Sequence, residues 1–307
     1  MNESILITGA NIGLGKETAR QLALKKETKK VILFCRNQAK AEVAKKDLEE
    51  QTGKKIFEII IGDVSDANSV RKAVEKIKEP IDALILNAGG MVGKTGGKMT
   101  LSGMNELAAT NILGHVILVE ELIKHDKLKK AVLSVSAEAV PGVKILGMKP
   151  VSMKTSSVDE FAAVLDGSYF GNNFDIVQAY GYVKYAATMW TLSMSRKYPD
   201  IKFVAMSPGS TSGTQGPDNF PPIMKFIMRY FMMPFVMPLI GMVHKVGVGA
   251  KRFVDGISDE RYKSGIFYAS KEGKLTGDVV DQSTFYADLK NTSFQDNAYE
   301  AIHHFIT

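Results

Sequence analysis

The 307-residue chain contains one cysteine, Cys35, and five histidines. A single cysteine rules out an intramolecular disulfide and suits a reducing compartment. Neither Cys-x-x-Cys nor His-Glu-x-x-His occurs, and the one adjacent histidine pair is His303-His304, so no metal site is expected. Met1-Asn2-Glu3-Ser4 leads straight into an apolar run without a basic n-region or cleavage site, so no secretory signal is expected and a cytoplasmic location is. Long apolar runs are also missing: the uncharged stretch from Tyr230 to Val243 is too short to span a bilayer. Nor is charge of one sign concentrated. The net charge is +6, but the pairs Lys25-Lys26, Lys29-Lys30, Lys45-Lys46, Lys54-Lys55 and Lys129-Lys130 are dispersed among acidic residues. That distribution describes a solvated surface rather than a nucleic-acid stripe, although a modest positive field helps attract an anionic cofactor.

What the chain does have is a globular balance, with 45% hydrophobic and 23% charged residues. Short β-branched runs alternate with helical patterns. Strands are expected at Ile5–Thr8, Val31–Cys35, Ile56–Ile61, Ile81–Asn87, Ala131–Ser136 and Lys202–Met206, with a last one near Gly265–Ala269. Helices are expected at Gly15–Lys25, Gln38–Gln51, Val70–Lys78, Met104–Lys124 and Gln178–Tyr198. The strand runs are apolar throughout instead of alternating, as strands buried on both faces of a parallel sheet must be. Strand–helix alternation at this spacing predicts βαβ units: an α/β, Rossmann-type, doubly wound parallel sheet with helices on both faces. No internal repeat or polar linker divides the chain, so residues 1–307 are expected to form one domain. Two segments break the pattern, a long insertion at 137–177 and a Met-, Phe- and Pro-rich segment at 217–248.

Directly after the first strand stands Thr8-Gly9-Ala10-Asn11-Ile12-Gly13-Leu14-Gly15. Glycines there let the backbone approach a pyrophosphate, and the following helix aims its free N–H groups at the phosphates. The spacing Gly-x-x-x-Gly-x-Gly is weak evidence alone, but its place between strand and helix supports dinucleotide binding. NAD-binding units usually carry a carboxylate at the end of the second strand for the ribose 2′-hydroxyl. Here Cys35 and Arg36 stand there, and a guanidinium suits a 2′-phosphate, so NADP(H) is the expected cofactor. Further on, Tyr180 and Lys184 lie four apart near the start of a predicted helix, hence on one face. A nearby ammonium favours the phenolate and would lower the phenol's pKa toward the working range, suiting Tyr180 to proton transfer.

Together these residues resemble the short-chain dehydrogenase/reductase family along nearly the whole chain. The matching motifs run in the family's order: Thr8-Gly9-x-x-x-Gly13-x-Gly15, Asp63-Val64, Asn87-Ala88-Gly89, Asn111, a serine of the fifth strand, Tyr180-x-x-x-Lys184 and Pro208-Gly209. The resemblance implies that Asp63 bonds the adenine amino group, with Val64 against the ring. It implies that Asn87 steadies the central strand beside the cofactor and that Asn111 holds a water linking Lys184 to solvent. Tyr180 would protonate the substrate oxygen as hydride arrives, Lys184 would hold the nicotinamide ribose, and the loop after Pro208-Gly209 would cover the carboxamide. By the same resemblance, dimers or tetramers are expected, or a monomer where the lid is long.

One position departs from the family. The fifth strand reads Leu133-Ser134-Val135-Ser136-Ala137, and an ungapped alignment puts Ala137 where the family has its carbonyl-polarising hydroxyl. A one-residue step reverses side-chain direction. A bulge would bring Ser136 into place, and Ser136 is taken as the catalytic serine. Without it, polarisation would rest on Tyr180 alone and activity would be weak or absent.

Within the family the chain looks nearest to retinol dehydrogenases and light-dependent protochlorophyllide reductases. Gly171-Asn172-Asn173-Phe174-Asp175 and the tail from Gly249-Ala250-Lys251-Arg252 to Tyr268 carry the second likeness. Protochlorophyllide reductases depend on an active-site cysteine, and Cys35 lies at the wrong end of the cofactor. The 217–248 segment stands where the family places its substrate lid, with peripheral membrane contact as a further use of it; methionines give it an adaptable apolar surface. These features imply NADP(H)-dependent interconversion of a lipophilic aldehyde or ketone with its alcohol. Double-bond reduction of a tetrapyrrole, or a catalytically poor NADP-binding regulatory protein, are the alternatives.

Overall fold

The computed structural model describes residues 2–142, 149–172, 174–211 and 241–306. Its strands are β1 (Ser4–Thr8), β2 (Lys30–Cys35), β3 (Phe57–Ile61), β4 (Ile81–Leu86), β5 (Leu128–Val135), β6 (Lys202–Met206), β7 (Ile266–Ser270) and β8 (Val279–Asp281). They form one sheet in the order β3-β2-β1-β4-β5-β6-β7-β8. All neighbours are parallel except β8, which runs antiparallel to β7. The order reverses between β1 and β4, and a doubly wound sheet opens a crevice at that point, beyond the carboxyl ends of the strands.

Burial explains the strand sequences. Ile5, Leu6 and Ile7 are fully buried, yet they face opposite layers. Leu6 packs with Ile32, Phe34 and Leu84 on one side; Ile5 and Ile7 pack with Leu33, Ala83 and Ile85 on the other. A strand that must satisfy two cores cannot afford a polar alternate position. Helices α1 (Gly13–Ala23) and α2 (Gln38–Thr52) cover one face together with α7 (Val246–Ser258). The other face carries α3 (Ala67–Lys76), α4 (Gly114–Lys124) and α6 (Ile176–Lys197). Two more helices, α5 (Val158–Asp166) and α8 (Thr292–His303), pack outside α6. Being enclosed by sheet and helices, α6 buries Tyr185, Met189, Trp190 and Leu192 around its circumference.

The α/β architecture expected from the strand pattern is the one observed. The differences are local. The 104–124 helix is broken into a short turn at Glu106–Ala108, a π turn at Ala109–Leu113 and then α4. The insertion at 137–177 contains α5, and β8 and α8 extend the C-terminal end beyond the last expected strand. Of the lid segment, residues 217–240 lie outside the described residues, whereas Val246–Val248 form the first turn of α7. Among the described residues no helix is long and apolar enough to cross a membrane.

The π turn has a steric partner. Gly114 donates its N–H to the Val64 carbonyl at 2.9 Å, and a Cβ at Gly114 would lie 2.2 Å from that same oxygen. Neither backbone can yield without disturbing the loop after β3. Gly114→Ala should therefore cost about 3 kcal/mol of stability. Urea unfolding of the two proteins checks it, and a midpoint unchanged by the substitution would show that the loop after β3 gives way freely.

Candidate active site

Because β1 to β7 are parallel, every loop that follows one of them emerges on one edge. The edge collects the glycine turn after β1, Arg36 after β2, Asp63-Val64 after β3, Asn87-Ala88-Gly89 after β4, Ser136-Ala137 after β5 and Pro208-Gly209 after β6. Tyr180 and Lys184 reach the same region from the first turns of α6.

The turn after β1 is held from below. Gly9 (φ +68°) donates to the Phe34 carbonyl, and the Asn87 amide donates to the Thr8 carbonyl at 2.9 Å. A Cβ at Gly15 would lie 2.5 Å from both the Asn87 Nδ2 and the Gly9 oxygen, so only glycine lets α1 begin this close to β4. Asn11 and Leu14 are half-buried and Ile12 is exposed on the outer side of the turn. This cradle can hold a pyrophosphate at the N-terminus of α1. Arg36 is exposed at the end of β2, and Asn37 beside it caps α2 by accepting from the Lys40 N–H. Cys35 is buried behind the turn, its sulfur accepting from the Ala10 and Asn11 amides, and burial pushes its thiol up to about 11. Asp63 accepts from the Ser65 N–H and hydroxyl, which closes the loop after β3, and Val64 is buried beside it.

Asn111 sits in the π turn. Its side-chain oxygen accepts from the Gly90 N–H, and its amide donates to the Gly90 and Leu107 carbonyls. It thus pins the Asn87-Ala88-Gly89 loop, where Gly89 (φ +124°) leaves no room for a Cβ against Asn111 Oδ1. π turns of this kind are frequent at functional sites.

Lys184 is 4% exposed, donates to the Val135 carbonyl at 2.9 Å and lies 5.7 Å from the centre of the Tyr180 ring. Burial lowers its ammonium to about 8 and raises the Tyr180 phenol to about 12. The expected depression of the phenol by the ammonium is therefore reversed: the ammonium is directed at a strand carbonyl, and desolvation of the phenolate prevails.

The catalytic bulge at Ser136 is not formed. Pairing of β5 with β6 stays regular through Ser134↔Ala205 and Val135↔Met206, and the Ser136 N–H continues it to the Met206 carbonyl. The Ser136 hydroxyl is buried and bonds Thr188 Oγ1 at 2.7 Å, while Thr188 donates to the Lys184 carbonyl. Thr188 lies eight residues beyond Tyr180, roughly 12 Å along α6, and helical side chains lean toward the N-terminus. The hydroxyl of Ser136 is thus engaged by α6 about two turns beyond Tyr180, and Ala137 is the half-exposed residue that follows.

Three residues of this edge were not anticipated from the sequence. His115 is 5% exposed, with Nδ1 3.2 Å from the Asn111 carbonyl and Nε2 3.0 Å from Thr8 Oγ1. A carbonyl only accepts, so Nδ1 carries the proton and Nε2 accepts from the Thr8 hydroxyl, which in turn accepts from the Ala88 N–H. The i, i+4 spacing of Asn111 and His115 was the available signal. The other two, Glu138 and Arg252, form a buried ion pair whose partners are 114 residues apart.

Comparison with known proteins bears on the family and the fold. The family model described as short chain dehydrogenase matches residues 3–144. Dehydrogenase/reductase SDR family member 12 of Bos taurus is 32% identical over 213 residues, 67% of this chain and 60% of the relative. Retinol dehydrogenase 13 of Mus musculus is 29% identical over 64% of this chain and 54% of the relative. The chloroplastic protochlorophyllide reductase of Daucus carota is 28% identical over 91% of this chain and 74% of the relative. The matches to the first two span little more than half of those relatives' own length. Among solved structures, an NADPH-bound carbonyl reductase from chicken fatty liver superposes with a TM-score of 0.58 at 20% identity, over 90% of this chain and 98% of the other. At that identity the likeness establishes the fold alone.

Proposed function

The chain belongs to the short-chain dehydrogenase/reductase family, and from that premise we propose an NADP(H)-dependent oxidoreductase that interconverts a lipophilic aldehyde or ketone and its alcohol. The observation that carries this reading is the convergence of the glycine cradle, Arg36 and the Tyr180–Lys184 pair on one edge of the sheet. When bound, the dinucleotide supplies or accepts the hydride. Gly9, Asn11, Ile12, Gly13, Leu14 and Gly15 hold its pyrophosphate, Arg36 its 2′-phosphate, Asp63 and Val64 its adenine, and Asn87, Ala88 and Gly89 the central strand edge beneath it. Lys184 holds the nicotinamide ribose and Pro208-Gly209 frames the carboxamide end. Tyr180 delivers a proton from its hydroxyl to the substrate oxygen, and Asn111 holds the water that restores it through Lys184. Lipophilic character is supported by the retinol dehydrogenase relatives, whose named substrate is a long apolar alcohol.

The test is NADPH oxidation at neutral pH over a panel of lipophilic aldehydes and ketones, for which turnover is expected. With Arg36→Asp, NADPH affinity should fall about tenfold or more and NADH affinity should rise, because a carboxylate repels the 2′-phosphate and accepts from a 2′-hydroxyl. An unchanged preference in a binding titration would remove Arg36 from the site. Double-bond reduction is a second reading, favoured by the length of the protochlorophyllide reductase match. Against it, Cys35 is 2% exposed behind the glycine turn and cannot meet a substrate there. Pigment absorbance in the purified protein would decide for it.

A further inference from the structure

We infer that Arg252 and Glu138 are positioning residues that set the nicotinamide end of the cofactor site by tying the loops after β5 and β6 to the end of β7. The inference rests on the cofactor reading above and adds a determinant to which the sequence likeness assigned no role.

Arg252, in the middle of α7, is 4% exposed, and Glu138 is 8% exposed. The guanidinium uses both terminal nitrogens. Nη1 donates to Glu138 Oε1 at 3.4 Å and to the Ser207 carbonyl at 3.2 Å; Nη2 donates to Ser270 Oγ at 3.0 Å and to the Gly277 carbonyl at 2.9 Å. Glu138 accepts in turn from the Ser270 N–H at 3.1 Å and the Ser270 hydroxyl at 2.9 Å. Ser207 completes the link: its hydroxyl bonds the Glu138 carboxylate and accepts from the Gly209 N–H at 3.1 Å. One ion pair therefore touches the ends of three neighbouring parallel strands.

Its location gives it consequence. Glu138 is the residue after Ala137, where the family's polarising hydroxyl is expected. Gly209 (φ +74°) lies so close to the guanidinium that a Cβ there would be 2.8 Å from Nη1. His244 closes the other side of this loop, donating from Nε2 to the Pro208 carbonyl at 2.8 Å. The same helix reaches the phosphate end, since a Cβ at Gly249 would lie 2.9 Å from Leu14 and 3.1 Å from the Pro208 carbonyl. A buried ion pair is a poor source of stability compared with apolar packing of equal volume, because both charges lose their water. Its directional bonds instead fix geometry. A planar fork with four acceptors holds Ala137 and Pro208-Gly209 at one separation, and a lysine cannot reproduce it.

The test uses the full chain, NADPH and 2′,5′-ADP, which shares the adenosine and 2′-phosphate but lacks the nicotinamide end. Affinities are measured by titration calorimetry for wild type, Arg252→Lys and the isosteric Glu138→Gln. The expected result is a loss of about tenfold in NADPH affinity in both variants, with 2′,5′-ADP affinity held within about twofold. Equal losses for both ligands would mean that the pair supports the fold in general, and no loss for either would mean that the loops keep their place without it; each overturns the inference. Glu138→Gln keeps the side chain's shape but turns one carboxylate oxygen into a donor and removes the charge that faces the guanidinium, so it loosens the link and answers even where Arg252→Lys fails to fold. A wild-type protein that binds neither nucleotide would instead overturn the cofactor reading, and this inference with it.

Discussion

Tyr180→Phe should lower carbonyl turnover by about three orders of magnitude while leaving NADPH affinity within about twofold. The size follows from what else is at hand. With Ser136 bonded to Thr188 and Ala137 in the following position, the phenol is the one hydroxyl on this edge assigned to the substrate oxygen. Its burial holds the proton on Tyr180 up to about pH 12, so at neutral pH it is a donor, and reduction is the direction it serves. The relay assigned to Lys184 restores that proton and needs its ammonium, which persists below about pH 8. Reduction should accordingly be flat just below pH 8 and decline above it, because the protonated relay is then lost. Ala137→Ser supplies the complementary variant. A second donor at the carbonyl should raise kcat by about tenfold or more and soften the effect of Tyr180→Phe. Measurement of kcat and KM for four proteins, the wild type, the two single variants and the double variant, on one lipophilic aldehyde decides. Full turnover in Tyr180→Phe would remove the phenol from the chemistry, and NADPH binding without turnover in any of the four would favour a binding protein over an enzyme.

The features legible in the sequence are those set by local spacing. Apolar runs buried on both faces identify β1, β2 and β4, because no polar residue can face either core. The glycine turn is legible because its position between strand and helix is itself local. Ser136 shows the limit. Its direction depends on whether β5 keeps register with β6, and nothing in Ser134-Val135-Ser136-Ala137 alone distinguishes a regular strand from a bulge. The π turn escaped for a similar reason: the apolar pattern of 104–124 continues through Asn111, while the cause of the break is a backbone contact between Gly114 and Val64. Arg252 and Glu138 escaped because their pairing is purely tertiary. An arginine on a helix reads as a solvent-facing charge until the ends of β5, β6 and β7 close around it. Within 137–177, α5 has a readable start at Ser157, which caps it by accepting from the Glu160 N–H, but the length of the segment suggested a loop.

His115 should make the protein acid-sensitive in a way that one substitution removes. Burial, reinforced by the Lys184 charge, lowers its pKa from 6.5 to about 3, while the Asn111 carbonyl opposes the shift only in part. The sign follows from proton counting. Between pH 6.5 and about 3 the unfolded chain carries a proton on this ring and the folded chain does not, so stability rises with pH across that window and is lost as pH falls through it. The whole shift corresponds to roughly 5 kcal/mol, of which about 2–3 kcal/mol has gone by pH 4.5. Protonation would also abolish the acceptor at Nε2 and turn the Thr8 hydroxyl around, which loosens the link from β1 to Ala88 beneath the glycine turn. His115→Asn keeps a donor for the Asn111 carbonyl but does not titrate. It should be less stable than wild type at pH 7.5, by about 1–3 kcal/mol for the hydrogen bond it loses. At pH 4.5 the gap should close or reverse, because wild type bears the protonation cost and the variant does not. The carboxylates titrate alike in both proteins and cancel in the comparison. Urea unfolding of the pair at the two pH values measures the gap directly; a gap that stays constant would mean that the ring protonates in place, and that the Thr8–His115–Asn111 chain tolerates the charge.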